Sequence, residues 1–203
     1  MRIGLLGGAF DPPHHGHLLV AAAVRRARNL DRVDLLVSGQ SPHAQAKHNH
    51  ADVTQRLAMA RLAAGTQPGL GVQDLETRRP GKSYSIDTIR ELRTRQPRDE
   101  FFFIVGGDMV ADLPRWRSIG LLLKLVRFVP VLRPGFTMDV FEPLRAPLGD
   151  AAVDSLQREL VAMPPTEISS TAIRAAAGQG RPWRHWVPAP VADYIEAEGL
   201  YCQ

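Results

Sequence analysis

The sequence predicts an α/β protein with a doubly wound, Rossmann-like parallel sheet, helices on both faces of the sheet and a C-terminal helical portion. Three observations lead to this prediction. Short apolar runs alternate with helical segments along most of the chain, which is the pattern of strand-helix-strand units. Residues 101–105 form a continuous apolar run, as expected for a central strand buried on both faces. A glycine turn follows the first strand directly, and such turns join strands to helices in this fold class.

The same patterns place the individual elements in order. Strands are expected at 2–6, 33–37, 70–72, 101–105, 125–132 and 158–163, and helices at 15–29, 52–64, 85–95, 169–177 and 188–198. Asp52 and Gln55 form a capping box at one helix start, and Gly65 stops that helix. Residues 38–51 and 134–150 are expected to be irregular, and the second stretch, rich in proline and glycine, to lie on the surface.

The composition predicts one soluble globular domain over residues 1–203, with its helical portion at about 164–203. Hydrophobic residues make up 44% of the chain and charged residues 23%, which is ordinary for such a domain. The net charge of +4 is spread without long runs of one sign, so no nucleic-acid partner is expected. Cys202 is the single cysteine, which excludes an internal disulfide and a thiolate zinc site.

The apolar stretches predict that the chain has no membrane partner. The longest of them, 119–123, is too short to cross a bilayer. No signal peptide is expected before the first strand, so a cytoplasmic location is predicted. The sequence leaves the oligomeric state open, a homo-oligomer included.

Residues 7–17, with the sequence GGAFDPPHHGH, follow the first strand and predict a phosphate-binding site. Glycines at Gly7 and Gly8 allow close backbone approach and expose N–H groups to an anion. His14 and His17 are three positions apart where a helix begins, so they share one face of it. The helix N-terminus adds partial positive charge at the same place. The alternative is a turn that carries surface histidines.

This first motif resembles the pattern G-G-x-F-D-P-x-H-x-G-H, which contains the (H/T)xGH signature of the nucleotidyltransferase superfamily. The resemblance implies that His14 and His17 hold the nucleotide phosphates and stabilise charge in the transition state, while His15 faces elsewhere. The family usually has Ser or Thr where this chain has Ala9, so one hydroxyl contact to phosphate is absent here.

A second motif, residues 167–174, resembles the I-S-S-T-x-I-R signature of the same superfamily. Hydroxyl groups at a helix start can cap the helix or bind phosphate. Arg174 shares a helix face with Ser170 and Thr171, and a guanidinium can bind phosphate oxygens in pairs. The alternative for the second motif alone is a capped helix with a solvent-exposed arginine.

Residues 81–88 resemble the G-x-S-Y-T-x-D-T segment of bacterial nicotinate-nucleotide adenylyltransferases, and residues 106–116 resemble their G-x-D…W segment. The resemblance implies that Trp116 stacks on the pyridinium ring and that Asp108 hydrogen-bonds ribose hydroxyls. Backbone N–H groups of Tyr84 and Ser85 would receive the nicotinate carboxylate. In the loop 38–51, His43 keeps its family position after a proline, whereas the lysine is displaced to Lys47.

The resemblance to these families covers nearly the whole chain and assigns three sets of site residues. The catalytic set is His14, His17 and Arg174. The set that binds ATP is Gly7, Gly8, Ala9, Phe10, His14, His17, Gly106, Asp108, Ile168, Ser169, Ser170, Thr171 and Arg174. The set that binds the nicotinate nucleotide is His43, Lys47, Ser83, Tyr84, Ser85, Asp108 and Trp116.

The implied reaction joins ATP and nicotinic acid mononucleotide into nicotinic acid adenine dinucleotide and releases pyrophosphate. Mg²⁺ would be bound mainly through the ATP phosphates, and no metal site of the protein's own is expected. The histidines of the loop 38–51 are interpreted as solvated rather than as metal ligands.

Several alternatives stay open at this point. An adenylyltransferase for nicotinamide mononucleotide or phosphopantetheine shares the first motif, and a non-catalytic nucleotide sensor could retain the fold. A dinucleotide-binding redox protein is disfavoured because the first turn lacks G-x-G-x-x-G.

Overall fold

The structure, a computed structural model, describes residues 1–40, 50–132, 137–163, 166 and 168–202, with the backbone alone at Asp108. The expectations for His43 and Lys47 lie outside the described residues. The strands are β1 (Arg2–Gly8), β2 (Arg32–Val37), β3 (Leu70–Gln73), β4 (Glu100–Gly106), β5 (Arg127–Leu132) and β6 (Val161–Ala162). The α-helices are α1 (His15–Ala27), α2 (Val53–Ala64), α3 (Ser85–Arg95), α4 (Gly107–Asp112), α5 (Ile119–Leu125), α6 (Arg145–Leu148), α7 (Asp150–Arg158), α8 (Ser170–Gly178) and α9 (Ala189–Ala197).

The six strands form one sheet in the order β3-β2-β1-β4-β5-β6. β4 pairs in parallel with β1 on one side and with β5 on the other, and β5 pairs in parallel with β6. Residues 101–105 are all buried within β4, which agrees with the continuous apolar run of a strand covered on both faces. The predicted α/β, Rossmann-like parallel fold is confirmed, and so is the helical C-terminal portion, which holds α8 and α9.

The helix boundaries follow the local sequence signals closely in α2. The Asp52 carboxylate accepts a hydrogen bond from the Gln55 N–H at 2.8 Å, and the Gln55 side chain accepts one from the Asp52 N–H at 3.0 Å. Gly65 is the C-cap. The predicted capping box and stop are therefore confirmed.

The stretch 134–150 is predicted to be irregular and to lie on the surface; most residues of its described part are exposed, but that part is helical. A 3-10 helix spans Met138–Leu144, and α6 and the start of α7 follow it. Phe141 and Leu144 are buried. The prediction of irregular structure is wrong because prolines do not exclude short helical turns.

Two further helices, α4 and α5, were not predicted; α4 begins in the expected turn, and α5 shares only residue 125 with the expected strand. Residues 106–108 were expected to form a turn, but Gly106 is the N-cap of α4. The strand expected from residue 125 begins at Arg127, because the apolar run before it forms α5. A short apolar run does not distinguish a buried helix from a strand by periodicity alone.

The chain divides into two compact units. The first unit comprises Met1–Gly7, Ala22–Val33 and Tyr84–Thr166, and the second comprises Gly8–Ala21, Asp34–Ser83 and Glu167–Gln203. In the first unit, apolar side chains of β1, β4 and β5 form the core. In the second unit, apolar side chains of α1, α2, α8 and α9 pack into one cluster. That residues 1–203 fold as one domain stays a prediction.

Among the described residues, no helix combines the length and the apolar character that crossing a membrane requires.

Candidate functional site

The loop between β1 and α1 carries the first motif and is tightly folded. Phe10 lies in the left-handed region with φ +52°, and the Asp11–Pro12 peptide bond is cis. The Phe10 side chain is buried, and its ring lies so close to Gly8 that a Cβ there would sit 3.1 Å from it. Gly8 therefore makes room for Phe10, whereas Gly7, in the first unit, is exposed and open to a ligand.

His14 and His17 lie in direct contact at the start of α1. Their rings stack with centroids 3.8 Å apart and an angle of 28°. The His17 Nδ1 accepts a hydrogen bond from the His14 N–H at 3.2 Å. A ring nitrogen that accepts carries no proton, so the Nε2 of neutral His17 is a donor. His14 is only 2% exposed, which excludes the alternative that both motif histidines lie on the surface.

Gly16 is required at its position for a steric reason. A Cβ on Gly16 would lie 2.9 Å from the His14 Nδ1 and 3.6 Å from the carbonyl oxygen of Ile168. The imidazole of His14 therefore packs directly on the backbone of the first turn of α1. Ile168 reaches the same turn from the segment before α8.

The second motif is docked onto the loop of the first. The Ser170 hydroxyl donates to the Pro12 carbonyl at 2.9 Å, and the Arg174 Nη1 donates to the Asp11 carbonyl at 2.7 Å. Ser169 is the N-cap of α8, and its hydroxyl accepts from the Ala172 N–H at 3.1 Å. Two of the expected phosphate ligands, Ser169 and Ser170, thus use their hydroxyls within the protein.

Arg174 retains capacity for a ligand. Its guanidinium is half-buried, and Nη2 donates to the exposed Thr171 hydroxyl over a long 3.4 Å. A guanidinium has more N–H donors than these two contacts use. The alternative interpretation is therefore correct in that Ser169 caps the helix. It is wrong in that Arg174 is half-buried rather than solvent-exposed.

The sequence predicts no role for Asp11, yet its carboxylate accepts three hydrogen bonds from other segments of the second unit. It is 4% exposed. Its Oδ2 accepts from the His50 N–H at 2.7 Å, and its Oδ1 accepts from the Ala51 N–H at 3.1 Å and from the Tyr201 hydroxyl at 2.7 Å. The aspartate in the first motif was visible in the sequence, but its partners come from distant segments.

Arg56 is a second buried charged residue at this loop for which the sequence predicts no role. Its side chain on α2 is 2% exposed, and Nη1 donates to the Ala9 carbonyl at 2.8 Å and to the Ser38 carbonyl at 2.9 Å. Burial lowers the pKa of Arg56, and the nearby Asp11 carboxylate opposes this. An arginine spaced three and four positions from Met59 and Ala60 on the buried face of α2 is the signal that could have found it.

The N-terminus of α3, in the first unit, presents free backbone donors. Tyr84 is the N-cap and forms no side-chain cap, and among the described residues its N–H and that of Ser85 have no hydrogen-bond partner. The Arg117 guanidinium lies 4.7 Å from the centroid of the Tyr84 ring. Positive charge and open N–H groups therefore meet at this helix start, which suits an anionic ligand.

Ser83 belongs to the second unit and serves the protein itself. Its N–H donates to the Gln40 carbonyl at 2.9 Å, and its buried hydroxyl donates to the Glu76 carbonyl at 3.3 Å. Its contribution is to fix the backbone just before Tyr84.

Trp116 lies in the aromatic part of the first unit's core. The indole is 8% exposed and packs edge-on against Phe103 and Phe128, with ring centroids 5.7 Å and 6.0 Å away. In the same unit, Gly106 ends β4 and Asp108 lies in the first turn of α4. Most of the residues predicted to bind ATP thus lie in the second unit, whereas Gly7, Gly106 and Asp108 lie in the first.

The second-unit geometry suits the binding of a polyanion. The Nε2 of His17, the remaining N–H groups of Arg174 and the start of α1 are all donors or positive. Asp11 provides the one carboxylate of the loop, and this carboxylate already accepts hydrogen bonds from two backbone N–H groups and the Tyr201 phenol. Such a site can stabilise charge that spreads over phosphate oxygens.

Comparisons with known proteins give a matching family model and similar chains. A family model described as cytidylyltransferase-like matches residues 5–176. A "probable nicotinate-nucleotide adenylyltransferase" from Roseiflexus sp. is 44% identical over 199 residues, which cover 98% of this chain and 97% of the relative. The nicotinate-nucleotide adenylyltransferase of Bacillus subtilis is 36% identical over 200 residues, 98% of each chain.

A solved structure is similar as well. The Plasmodium falciparum nicotinic acid mononucleotide adenylyltransferase complexed with NaAD superposes with a TM-score of 0.74 and covers 98% of this chain and 97% of its own. With 16% sequence identity, that likeness establishes the fold.

Proposed function

We infer that this chain, which belongs to the cytidylyltransferase-like family and within it to the nicotinate-nucleotide adenylyltransferases, transfers the adenylyl group of ATP to nicotinic acid mononucleotide in NAD biosynthesis. The products are nicotinic acid adenine dinucleotide and pyrophosphate. The observation that carries the proposal is the docking of the second motif on the first, in which Arg174 and Ser170 bind the loop that ends in His14.

The reaction is an in-line displacement. A 5′-phosphate oxygen of the mononucleotide forms a bond to the α-phosphorus of ATP, and the bond from that phosphorus to the pyrophosphate oxygen breaks. Negative charge spreads over the non-bridging oxygens in the transition state. We assign its stabilisation to His14, His17 and Arg174, with the His17 Nε2–H as a fixed donor. The attacking phosphate is already ionised, so the protein's task is positioning and charge stabilisation.

Nucleotidyltransferases generally use a divalent metal with ATP, and we propose Mg²⁺ here. Among the described residues, no group of three or more His, Cys, Asp or Glu side chains could hold a metal ion. Mg²⁺ does not require such a group, because it is usually held by substrate phosphates and water rather than by a protein cage. When bound, Mg²⁺ would neutralise and orient the ATP phosphates.

We propose that the nicotinate carboxylate binds at the start of α3. The free N–H groups of Tyr84 and Ser85 support this, since an amide group would present its own NH₂ to the same donors. Ser83 supports that backbone, Asp108 would bind ribose hydroxyls, and Trp116 would contact the pyridine ring with the small exposed part of its indole. His43 and Lys47 stay proposed contacts to the mononucleotide phosphate.

The remaining ATP contacts are proposed from the same two motifs. The backbone N–H groups of the first-motif loop would face the phosphates, and Thr171 offers the exposed hydroxyl of α8. The full proposed set in these motifs is Gly7, Gly8, Ala9, Phe10, Ile168, Ser169, Ser170 and Thr171. We also propose that the enzyme is cytoplasmic and that its partners are ATP and the mononucleotide. Assembly into a homo-oligomer can be tested by analytical sedimentation.

The deciding experiment measures pyrophosphate release with ATP and Mg²⁺ in the presence of one acceptor at a time. The acceptors are nicotinic acid mononucleotide, nicotinamide mononucleotide and 4′-phosphopantetheine. A strong preference for the first supports both the reaction and the carboxylate site at Tyr84 and Ser85. A preference for another acceptor overturns the acceptor assignment, and no release with any acceptor favours a nucleotide sensor.

A further inference from the structure

The last residues of the described chain fold back onto the first-motif loop. After α9, Gly199 has φ +60°, and the Leu200 N–H donates to the Ile195 carbonyl at 2.9 Å, which reverses the chain. Tyr201 then adopts φ +64°. This geometry directs the Tyr201 hydroxyl to the Asp11 Oδ1, to which it donates at 2.7 Å.

Asp11 connects this contact to the phosphate-binding groups. Its carbonyl oxygen accepts from Arg174, and the next carbonyl along the chain, that of Pro12, accepts from Ser170. Its carboxylate also holds the N–H groups of residues 50 and 51, just before α2. Three separate segments of the second unit therefore converge on Asp11, three positions before His14.

The backbone conformations at this contact are unusual. Phe10, adjacent to Asp11, and Tyr201 are both non-glycine residues in the left-handed region. Such conformations cost free energy and persist where the surrounding contacts over-determine them, often at functional sites. Burial raises the pKa of Tyr201, and the hydrogen bond to Asp11 raises it further, so the phenol remains a donor at neutral pH.

The hydroxyl has a role that hydrophobic packing does not explain. The Tyr201 side chain packs against the apolar cluster of the second unit, and its oxygen lies 4.0 Å from the Met59 sulfur. A phenylalanine would keep that packing. The hydroxyl is what couples the chain end to Asp11.

We propose that Tyr201 is a positioning residue of the phosphate site, acting through Asp11 on the first-motif loop and on the Arg174 guanidinium. The inference rests on the proposed adenylyl transfer for its kinetic test. It makes the segment 199–202 part of the phosphate-binding machinery rather than a passive chain end.

The test compares Tyr201→Phe with Tyr194→Phe. Tyr194 lies on α9 and packs against the same cluster, and its hydroxyl has no hydrogen-bond partner among the described residues. We expect Tyr201→Phe to lower kcat/KM for ATP by about ten-fold, because it removes the hydrogen bond that the hydroxyl donates to the buried Asp11 carboxylate. The KM for nicotinic acid mononucleotide should stay within about two-fold, and Tyr194→Phe should leave all constants unchanged within the same margin.

A lower Tm with unchanged kcat and KM for ATP, measured well below the unfolding transition, would mean that Tyr201 is merely structural and would overturn the proposal. A double-mutant cycle with Asp11→Asn gives a second criterion. If Tyr201 acts through Asp11, the two substitutions are non-additive in kcat/KM for ATP. Full additivity contradicts the proposal.

A binding measurement keeps the proposal testable if a variant fails to fold or the wild-type enzyme makes no product. The chain has three tyrosines, so carbon-13 labelling of the phenol carbon gives three NMR signals. Titration of the wild-type protein with α,β-methylene-ATP should shift the Tyr201 signal and leave that of Tyr194 in place. An unshifted Tyr201 signal at saturation overturns the inference, whereas an inactive wild type with a shifted signal overturns only the proposed reaction.

Discussion

Replacement of Arg56 by methionine tests the buried guanidinium that ties the first-motif loop to the end of β2. The substitution keeps the apolar stem of the side chain and removes both hydrogen bonds, to Ala9 at 2.8 Å and to Ser38 at 2.9 Å. Hydrogen bonds from a charged group contribute about 1.5–3 kcal/mol each. The loss is partly offset because methionine does not carry the cost of burying a charge.

We therefore expect Arg56→Met to lower the free energy of unfolding by about 2–4 kcal/mol. Equilibrium unfolding in urea measures this change directly. The matched control is Arg61→Met on the same helix, since the Arg61 side chain is 59% exposed and pairs with Asp74 at 3.2 Å on the surface. That control should lose less than about 1 kcal/mol. Equal losses in the two variants would refute the reasoning from buried hydrogen bonds.

Three further predictions concern the first-motif histidines and the proposed carboxylate site at the start of α3. His17→Ala should reduce turnover about 10²–10³-fold, as expected for a lost transition-state donor, and near-normal turnover would contradict its role. Gly16→Ala should displace the His14 ring, which a Cβ would approach to 2.9 Å, so kcat should fall while the circular dichroism spectrum is unchanged. Arg117→Gln should lower the ratio of kcat/KM for nicotinic acid mononucleotide to kcat/KM for nicotinamide mononucleotide by about three- to ten-fold. The control is Arg115→Gln at the exposed neighbouring residue, which should leave this ratio unchanged.

The arrangement of the candidate phosphate site could be predicted from the sequence as far as its signals are local. A strand, a glycine turn and histidines three apart suffice to bring His14 and His17 to one helix start, and the structure has them in contact. The hydroxyls of the second motif were ambiguous because caps and phosphate ligands are chemically alike. The structure resolves Ser169 as a cap and Ser170 as a donor to the Pro12 carbonyl.

The parts that could not be predicted depend on contacts between distant segments. Asp11 receives its partners from residues 50, 51 and 201, and no local pattern specifies these pairings. The spacing of Arg56 from Met59 and Ala60 indicates that it lies on the buried face of α2, but its carbonyl acceptors at Ala9 and Ser38 come from distant segments. The burial of Trp116 could not be predicted for the same reason, because its contacts with Phe103 and Phe128 join distant segments.

The docking of the second motif on the first also has a consequence for the order of folding. The contacts of Ser170, Arg174 and Tyr201 with the loop join residues 158, 163 and 190 positions apart in the chain. Closing loops of such length costs chain entropy before the contacts repay it. We therefore expect these contacts to form late in folding, and during synthesis they cannot form before Ser170, Arg174 and Tyr201 have been made.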